Sequence, residues 1–229
     1  MEPIPLPDTL AEMIALHCGK SWQDRIKRHR LTQRFDAGQD VFREGDPADQ
    51  LFIVRKGKVK VFCTYGPDAR RILRFARDGQ VLGHRGIGAG FTYSVSATAL
   101  TPTTVDALPM PLFMQVLEAN AAFSFHFMLF FAEELRRSEE QTRAMLDLSA
   151  EQRVVKALLA TLRCFGFDKD DRTLLAFTPS RQDLADYAGT TYESTIRALS
   201  ALQKKKLIKS VGRELRIVDR GKLESLMRG

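Results

Sequence analysis

The sequence has few cysteines, and no long hydrophobic run interrupts it. The three cysteines lie far apart, are odd in number and form no metal-spaced pair, so neither a disulfide framework nor a zinc site is expected. No apolar run approaches the roughly 20 residues of a membrane-spanning helix, and the start, Met1–Pro3, lacks the basic segment of a signal peptide. We therefore expect a cytoplasmic protein that makes no use of a membrane.

Signatures of catalysis are also missing. There is no nucleophile–base pair, no pair of carboxylates at motif spacing and no metal-binding triad. The glycine-rich stretch 83–90 is not followed by Lys and Ser or Thr, so it is not a phosphate-binding P-loop. The sequence therefore predicts no catalytic residue, no metal ligand and a protein that is not an enzyme.

The positive charge is concentrated towards the C-terminus. The 229 residues leave room for two modest domains, and the formal net charge is +7. From Thr178 onward there are eleven basic and six acidic residues, so +5 of this charge lies in the last quarter. Such a concentration is typical of a surface that binds the phosphates of DNA, although charge runs also occur on solvated faces.

The segment 178–208 predicts two short helices joined by a tight turn. Ser180 precedes Arg181–Asp183 in a pattern that resembles a capping box. Gly189 supplies the turn, because a residue without Cβ takes positive φ at little cost. The apolar face of the first helix is expected at Leu184, Tyr187 and Ala188.

The second helix begins after Thr190 or Thr191, either of which can serve as the N-cap. Its core face is expected at Ile196, Leu199 and Leu202. The opposite face carries Tyr192, Glu193, Ser194 and Arg197, followed by the basic run 204–206. Arg and carboxylate groups near the start of a helix suit the base edges of a DNA major groove. The alternative is an ordinary helical hairpin with a solvated face.

A predicted hairpin directly follows these helices. It comprises Leu207–Ile208, the turn Val211–Arg213 and Leu215–Val218, and a hairpin in this place makes the unit a winged helix-turn-helix. The candidate DNA-binding residues are Ser180, Arg181, Gln182, Thr190, Thr191, Tyr192, Glu193, Ser194, Arg197, Lys205 and Arg213.

The N-terminal half has a different pattern. Residues 1 to about 30 are mixed and helical, and from Leu31 the hydrophobic period becomes that of strands. Short apolar stretches with glycines between them indicate an antiparallel barrel or roll. The expected strands are 34–38, 41–46, 51–54, 57–62, 71–75, 93–100 and one near 104–108.

With these motifs in this order, the sequence resembles the CRP/FNR family of bacterial transcription regulators along nearly its whole length. The resemblance is carried by F-D-A-G-Q-D-V-F-R-E-G-D-P-A-D-Q-L-F-I-V-R-K-G-K-V-K-V at 35–61, D-G-Q-V-L-G at 78–83, and the helix-turn-helix. It implies an α+β fold with a cyclic-nucleotide-binding-like β-roll sensor domain (1–111), a dimerisation helix region (112–147) and a winged helix-turn-helix DNA-binding domain (148–229).

The resemblance also implies partners and a recognition code. A homodimer would bind double-stranded DNA at an inverted repeat, and RNA polymerase would be a further partner. Glu193 and Arg197 occupy the positions that read the shared T-G-A core of family half-sites. Tyr192 occupies the family's other specificity position, so the outer bases of the half-site are expected to differ from either well-known consensus sequence.

The stretch from Leu112 to about Met145 is rich in helix-forming residues and contains neither Gly nor Pro. Phe123, Phe127 and Phe130 mark one of two apolar faces; one face can pack on the roll and the other on a partner chain, and burial of both in the core is the alternative. A second face has steps of three and four, typical of a coiled-coil seam, and the resemblance makes it the dimer interface. Its members are Met128, Phe131, Leu135, Ser138, Thr142 and Met145.

The expected sensor pocket departs from that of relatives that bind cyclic AMP. Those proteins carry a Gly-Glu pair for the ribose and an Arg-Ser pair for the phosphate, whereas the corresponding residues here are Gly83-His84 and Tyr93-Ser94. Without the arginine, a buried phosphodiester loses its bidentate, charge-assisted partner. Cyclic AMP is therefore not expected to be the effector.

Other effectors remain open at the sequence level. His84 lies in the loop that supplies a haem ligand in carbon-monoxide-sensing relatives, but no second ligand is evident, so no cofactor is expected. An iron–sulfur cluster is expected even less than haem, because the N-terminal cysteine array of the oxygen-sensing branch is missing and only Cys18 lies there. An unknown small molecule, such as a carboxylate or a phenol-like compound, is the remaining expectation. Its candidate site comprises Gly83, His84, Arg85, Thr92, Tyr93, Ser94 and, by resemblance, Ser138.

Overall fold

The computed structural model describes residue 7 and the ranges 9–66, 69–88 and 90–227. It has the α+β architecture expected from the sequence: antiparallel sheets in the N-terminal half, a long helix, and a C-terminal helix-turn-helix with a hairpin. Two compact units can be separated. One comprises residues 1–63 and 76–140, and the other comprises 64–75 and 141–229.

Two short helices precede the sheets, α1 (Leu10–His17) and α2 (Lys20–His29). Thr9 caps α1 in a reciprocal arrangement. Its hydroxyl accepts a hydrogen bond from the Glu12 amide at 3.1 Å, and the Glu12 carboxylate accepts one from the Thr9 amide at 3.2 Å. Leu10, Met13 and Ile14 form the buried face of this helix.

Eight strands form the roll, in two four-stranded sheets with the orders β1-β8-β3-β6 and β2-β7-β4-β5. The strands are β1 (Leu31–Phe35), β2 (Asp40–Phe42), β3 (Gln50–Lys56), β4 (Val59–Tyr65), β5 (Ala69–Ala76), β6 (Val81–Leu82), β7 (Ser96–Ala99) and β8 (Thr103–Pro109). The roll core includes Leu51, Val54, Val59 and Val105, none of which is exposed.

The turn between β3 and β4 requires a glycine. Gly57 has φ +134°, and a Cβ at this position would lie 2.8 Å from the Cα of Thr103. Both the backbone conformation and the close approach of β8 exclude a larger residue. This contact sets the spacing of the hairpin against its neighbouring strand.

The predicted dimerisation helix region 112–147 comprises two helices. It consists of α3 (Met110–Ala119) and α4 (Ala121–Asp147), separated by Asn120 at φ −129° and ψ 85°. The Asn120 side-chain amide donates to the Val116 carbonyl at 2.8 Å, and its Oδ1 accepts from the Gly19 amide at 3.3 Å. These bonds satisfy the side chain at the break between the helices.

Three aromatic rings join α3 to α4. Phe113, Phe123 and Phe127 are buried, with ring centroids 5.2–5.9 Å apart, a spacing favourable for aromatic pairs. The predicted core face of α4 is therefore confirmed at Phe123 and Phe127, while Phe130 is half-buried.

The C-terminal unit is a winged helix. Its elements are α5 (Ala150–Phe165), α6 (Arg181–Ala188), α7 (Tyr192–Lys204), β9 (Ile208–Val211), β10 (Glu214–Ile217) and α8 (Arg220–Ser225). Ser149 caps α5 in a capping box with Gln152, and the buried face of α5 forms the floor on which α6 and α7 pack. Within the described part of the chain, no helix combines the length and hydrophobicity needed to cross a membrane.

Candidate DNA-binding face and sensor loop

The helix-turn-helix begins and turns where the sequence predicts. The Ser180 hydroxyl accepts from the Asp183 amide at 2.9 Å and donates to the Asp183 carboxylate at 2.7 Å. Gly189 ends α6 in the left-handed region at φ 56° and ψ 49°. Thr191 is the N-cap of α7, and its hydroxyl accepts from the Ser194 amide at 3.1 Å.

The predicted core face of α7 is partly wrong. Leu199 and Leu202 are buried as expected, but Ile196 is 36% exposed. Thr195 and Ala198 are buried instead. A threonine can occupy the core here because its hydroxyl donates to the Thr191 carbonyl within the same helix at 3.1 Å, which removes the cost of an unsatisfied polar group.

The exposed side of α7 carries the residues expected to read DNA. Tyr192, Glu193 and Arg197 are exposed, and Ser194 is half-buried. The Arg197 guanidinium donates to the Ser194 hydroxyl oxygen at 2.8 Å, and that oxygen also accepts from Thr191 at 3.1 Å. The N-cap residue Thr191 and the arginine Arg197 thus share one acceptor, the Ser194 hydroxyl oxygen, which orients the guanidinium group.

A concave pocket of about 540 Å³ lies where α6 begins and the wing turns. Arg181 joins the two elements, because its guanidinium donates to the Ser210 hydroxyl at 2.9 Å and to the Arg213 carbonyl at 3.4 Å. Partial burial lowers the pKa of Arg181. The pocket brings together Thr178, Pro179, Ser180, Arg181, Gln182, Tyr192, Gly212 and Arg213, five of which are predicted DNA-binding residues.

The remaining predicted DNA-binding residues differ in their surroundings. Arg213 is exposed at the wing turn, next to Gly212 at φ 58°. Lys205 is also exposed, but its Nζ lies 2.6 Å from a carboxylate oxygen of Glu151. Thr190 is half-buried in the turn, where its amide donates to the Ala185 carbonyl at 3.1 Å.

In the sensor loop, Tyr93 is directed into the roll. Its side chain is 3% exposed and stacks on Phe42, with ring centroids 4.2 Å apart. The hydroxyl donates to the Gln50 carbonyl at 2.6 Å and accepts from the Gln50 amide at 3.3 Å. Burial raises the pKa of Tyr93 to about 12, so the phenol remains protonated at neutral pH.

The other predicted effector residues do not share one surface with Tyr93. Thr92 and Ser94 are exposed on either side of it. Gly83 is buried, and a Cβ there would lie 3.1 Å from the Tyr93 ring. The Tyr93 ring therefore fills the space beside Gly83.

His84 and Arg85 converge on one residue of α4. Nε2 of His84, which is 2% exposed, lies 3.7 Å from the Glu134 carboxylate, and the Arg85 guanidinium lies 3.3 Å from the same oxygen. The rings of Phe130 and Phe131 meet the imidazole edge-on at 5.3 and 5.5 Å. Sequence reasoning did not identify Glu134, because nothing local links a glutamate to a loop about 50 residues earlier.

The residues of the predicted dimer seam on α4 differ in their exposure. Met128, Leu135 and Thr142 are exposed, whereas Phe131 and Ser138 are half-buried, Phe131 against His84. The Met145 side chain lies outside the described residues. Phe125 and Leu146, which the sequence analysis did not include, are exposed on this helix.

Two families of known domains match the chain. The cyclic nucleotide-binding domain matches residues 32–120, and the Crp-like helix-turn-helix domain matches residues 152–226. These ranges correspond to the roll and to the winged helix, in the same order as the sequence motifs.

Similar proteins agree with both matches. The transcriptional activator protein anr of Pseudomonas aeruginosa is 27% identical and covers 99% of this chain and 88% of its own length. Electron transport regulator A of Shewanella oneidensis is 27% identical, with 89% and 80% covered. The structure of FixK2 from Bradyrhizobium japonicum has a TM-score of 0.75 at 24% identity, covers 86% of this chain and 96% of its own, and shows the shared fold. The chain belongs to the CRP/FNR family and is a DNA-binding transcription regulator, not an enzyme.

Proposed function

We propose that the protein acts as a homodimer that binds an inverted-repeat operator, with one α7 in the major groove of each half-site. The observation that carries this proposal is an exposed apolar seam on α4. Phe125, Met128 and Leu135 are 46, 56 and 62% exposed, at separations of three and seven residues. These separations fit the 3.5-residue repeat of a two-helix interface.

A second copy of the chain is the occupant that suits this seam. Exposure of three large apolar groups on one helical stripe to water would be unfavourable, and the same stripe on a partner would be self-complementary about a two-fold axis. A two-fold axis also explains why an operator would be palindromic. RNA polymerase is proposed as a further partner on the family resemblance alone.

Glu193 and Arg197 are proposed to read bases in each half-site. Both lie in the first two turns of α7 and are exposed, as in other recognition helices. Arg is the common bidentate partner of guanine, and a carboxylate accepts from the cytosine amino group. The pocket that contains Ser180, Arg181 and Arg213 would receive the DNA backbone, because amides at a helix start and guanidinium groups favour phosphate.

The effector is proposed to be a small molecule other than cyclic AMP. Tyr93 supplies no positive charge, and its hydroxyl is already hydrogen-bonded to Gln50. A haem does not fit the residues around His84, since Glu134, Phe130 and Phe131 surround the imidazole. Titration calorimetry with cyclic AMP should therefore give no heat of binding. Tight binding that also raises DNA affinity would contradict this part of the proposal.

The dimer and the operator can be tested together. Leu135→Lys would place two like charges across the two-fold axis, so we expect the dimer dissociation constant to rise at least about 100-fold, a change of roughly 3 kcal/mol. Analytical ultracentrifugation measures this, and affinity for the selected operator should fall with it. Leu16→Lys on α1, where Leu16 is 70% exposed, is the matched control. A dimer unaffected by Leu135→Lys would place the interface elsewhere.

A further inference from the structure

Two large apolar side chains lie on the reading face of α7. Tyr192 is 46% exposed and Ile196 is 36% exposed. They are four residues apart, so they are neighbours along one side of the helix. Glu193 and Arg197 each follow one of them in the sequence and are exposed as well, so the apolar pair and the polar pair lie side by side.

Tyr192, the first member of the apolar pair, lies beside the wing. Tyr192 lines the same pocket as Gly212 and Arg213 of the wing turn. Ile196 continues this side of α7 by one turn, away from the core residues Thr195 and Leu199. The pair therefore forms an apolar strip alongside the polar reading residues, with Tyr192 at the end that lies beside the wing turn.

Because the strip is apolar, it should favour a base that presents an apolar group in the major groove. An isoleucine can neither donate nor accept a hydrogen bond, so packing it on a purine or cytosine edge would desolvate groups that it cannot satisfy. In the major groove only thymine presents a methyl group, which favours an apolar contact. We propose that Ile196, supported by Tyr192, reads the 5-methyl group of a thymine next to the base pair read by Arg197.

This inference rests on the proposed function, in which α7 occupies the major groove of each half-site. It adds a residue that distinguishes thymine from the other three bases by its methyl group. A protein partner on the same strip is the competing occupant. The neighbouring Arg197 and Glu193 favour DNA, because the same helix face then supplies both hydrogen-bonding and apolar contacts to consecutive base pairs.

The test removes one methyl group from the DNA at a time. The full-length protein first selects its operator from random sequence. Each thymine is then replaced by 2′-deoxyuridine in both half-sites, which deletes the methyl and preserves base pairing. Binding is measured by fluorescence anisotropy at fixed salt. At one thymine of each half-site, the replacement should lower affinity about three- to tenfold for the pair of methyl groups lost.

The matched variant is Ile196→Ala. At the same thymine, the deoxyuridine effect should fall to nearly one-fold in this variant, because the side chain that contacts the methyl is absent. Ile196→Val should retain part of the effect. Val218→Ala is the control: Val218 is an exposed apolar residue of the same unit, beyond the wing strands, and this variant should keep the full deoxyuridine effect.

The outcomes are distinguishable. An operator that is bound tightly but tolerates deoxyuridine at every thymine would overturn the inference and leave the proposed function standing. A deoxyuridine effect that is unchanged in Ile196→Ala would overturn it too, even if that variant binds all DNA more weakly. Failure of the wild-type protein to select any inverted repeat would instead overturn the proposed function, and the thymine assignment with it.

Discussion

Tyr93 in the sensor loop and Tyr192 on the reading face are the same residue type in opposite situations. The hydroxyl of Tyr93 is bonded to the backbone of Gln50 in a buried position, whereas Tyr192 is nearly half exposed beside an open pocket. Arg85 and Arg197 differ in a related way. Arg85 is paired with Glu134, and Arg197 donates to one neutral hydroxyl on Ser194.

The difference concerns what each region can still offer to a ligand. An arginine has five N–H groups in a planar fork, and a single hydrogen bond to Ser194 orients Arg197 without neutralising its charge. In the sensor loop, an ion pair and backbone hydrogen bonds already engage the polar groups. A ligand there would have to displace interactions within the protein, whereas DNA at α7 would add interactions to those already present.

The largest expected effect comes from removing the buried side chain of Tyr93 in the sensor loop. Tyr93→Ala should lower the free energy of unfolding by about 3–5 kcal/mol, because it removes a buried aromatic ring and leaves a cavity. Chemical denaturation followed by circular dichroism measures this change. Tyr93→Phe keeps the ring and should cost only about 1 kcal/mol. If Tyr93→Ala were as stable as the wild type, the loop would not be packed as described.

An intermediate effect is expected on base discrimination by Arg197, on the reading face of α7. Arg197→Ala should lose roughly 1–3 kcal/mol of discrimination at a guanine of each half-site and change the free energy of unfolding by less than about 0.5 kcal/mol. Competition binding with operators that carry a single base change measures the discrimination. Arg220→Ala on α8, also an exposed arginine, is the control and should leave base preference intact. Unaltered preference in Arg197→Ala would mean that another residue reads the guanine.

The smallest expected effect is on the salt dependence of DNA binding, where Arg213 and Lys205 of the winged helix should differ. Arg213→Ala should weaken binding to all sequences alike and reduce the slope of log K against log salt by about one for each protomer. Lys205→Ala should reduce the slope less, because its ammonium group is paired with Glu151. Titrations at several salt concentrations measure both slopes. Equal slopes for the two variants would mean that the pairing does not persist on DNA.

The sequence predicted best the features that depend on neighbouring residues. The cap at Ser180, the turn at Gly189 and the wing hairpin are each encoded within a few positions. Ile196 was misplaced because hydrophobicity alone assigns isoleucine to the core ahead of threonine. The local hydrogen bond of Thr195 reverses that choice, and side-chain periodicity carries no record of it.

Features that depend on distant residues could not be predicted. Glu134 meets His84 and Arg85 only after the roll and α4 have packed together. Phe131 fits the heptad spacing as well as its neighbours do, yet it packs on the imidazole of His84. The helix break at Asn120 is likewise accompanied by a bond to Gly19, about a hundred residues earlier. The two-residue strand β6 is too short to show a period of its own.

The packing of Tyr93 also constrains how this regulator could evolve. Introducing the arginine of the cyclic-AMP-binding relatives, by Tyr93→Arg, would bury an unpaired guanidinium group beside Phe42 and Phe52 and remove the hydroxyl that bonds Gln50. A glutamate in place of His84 would meanwhile face Glu134. Each substitution alone is unfavourable, so a cyclic-nucleotide pocket in this loop would require several coordinated substitutions.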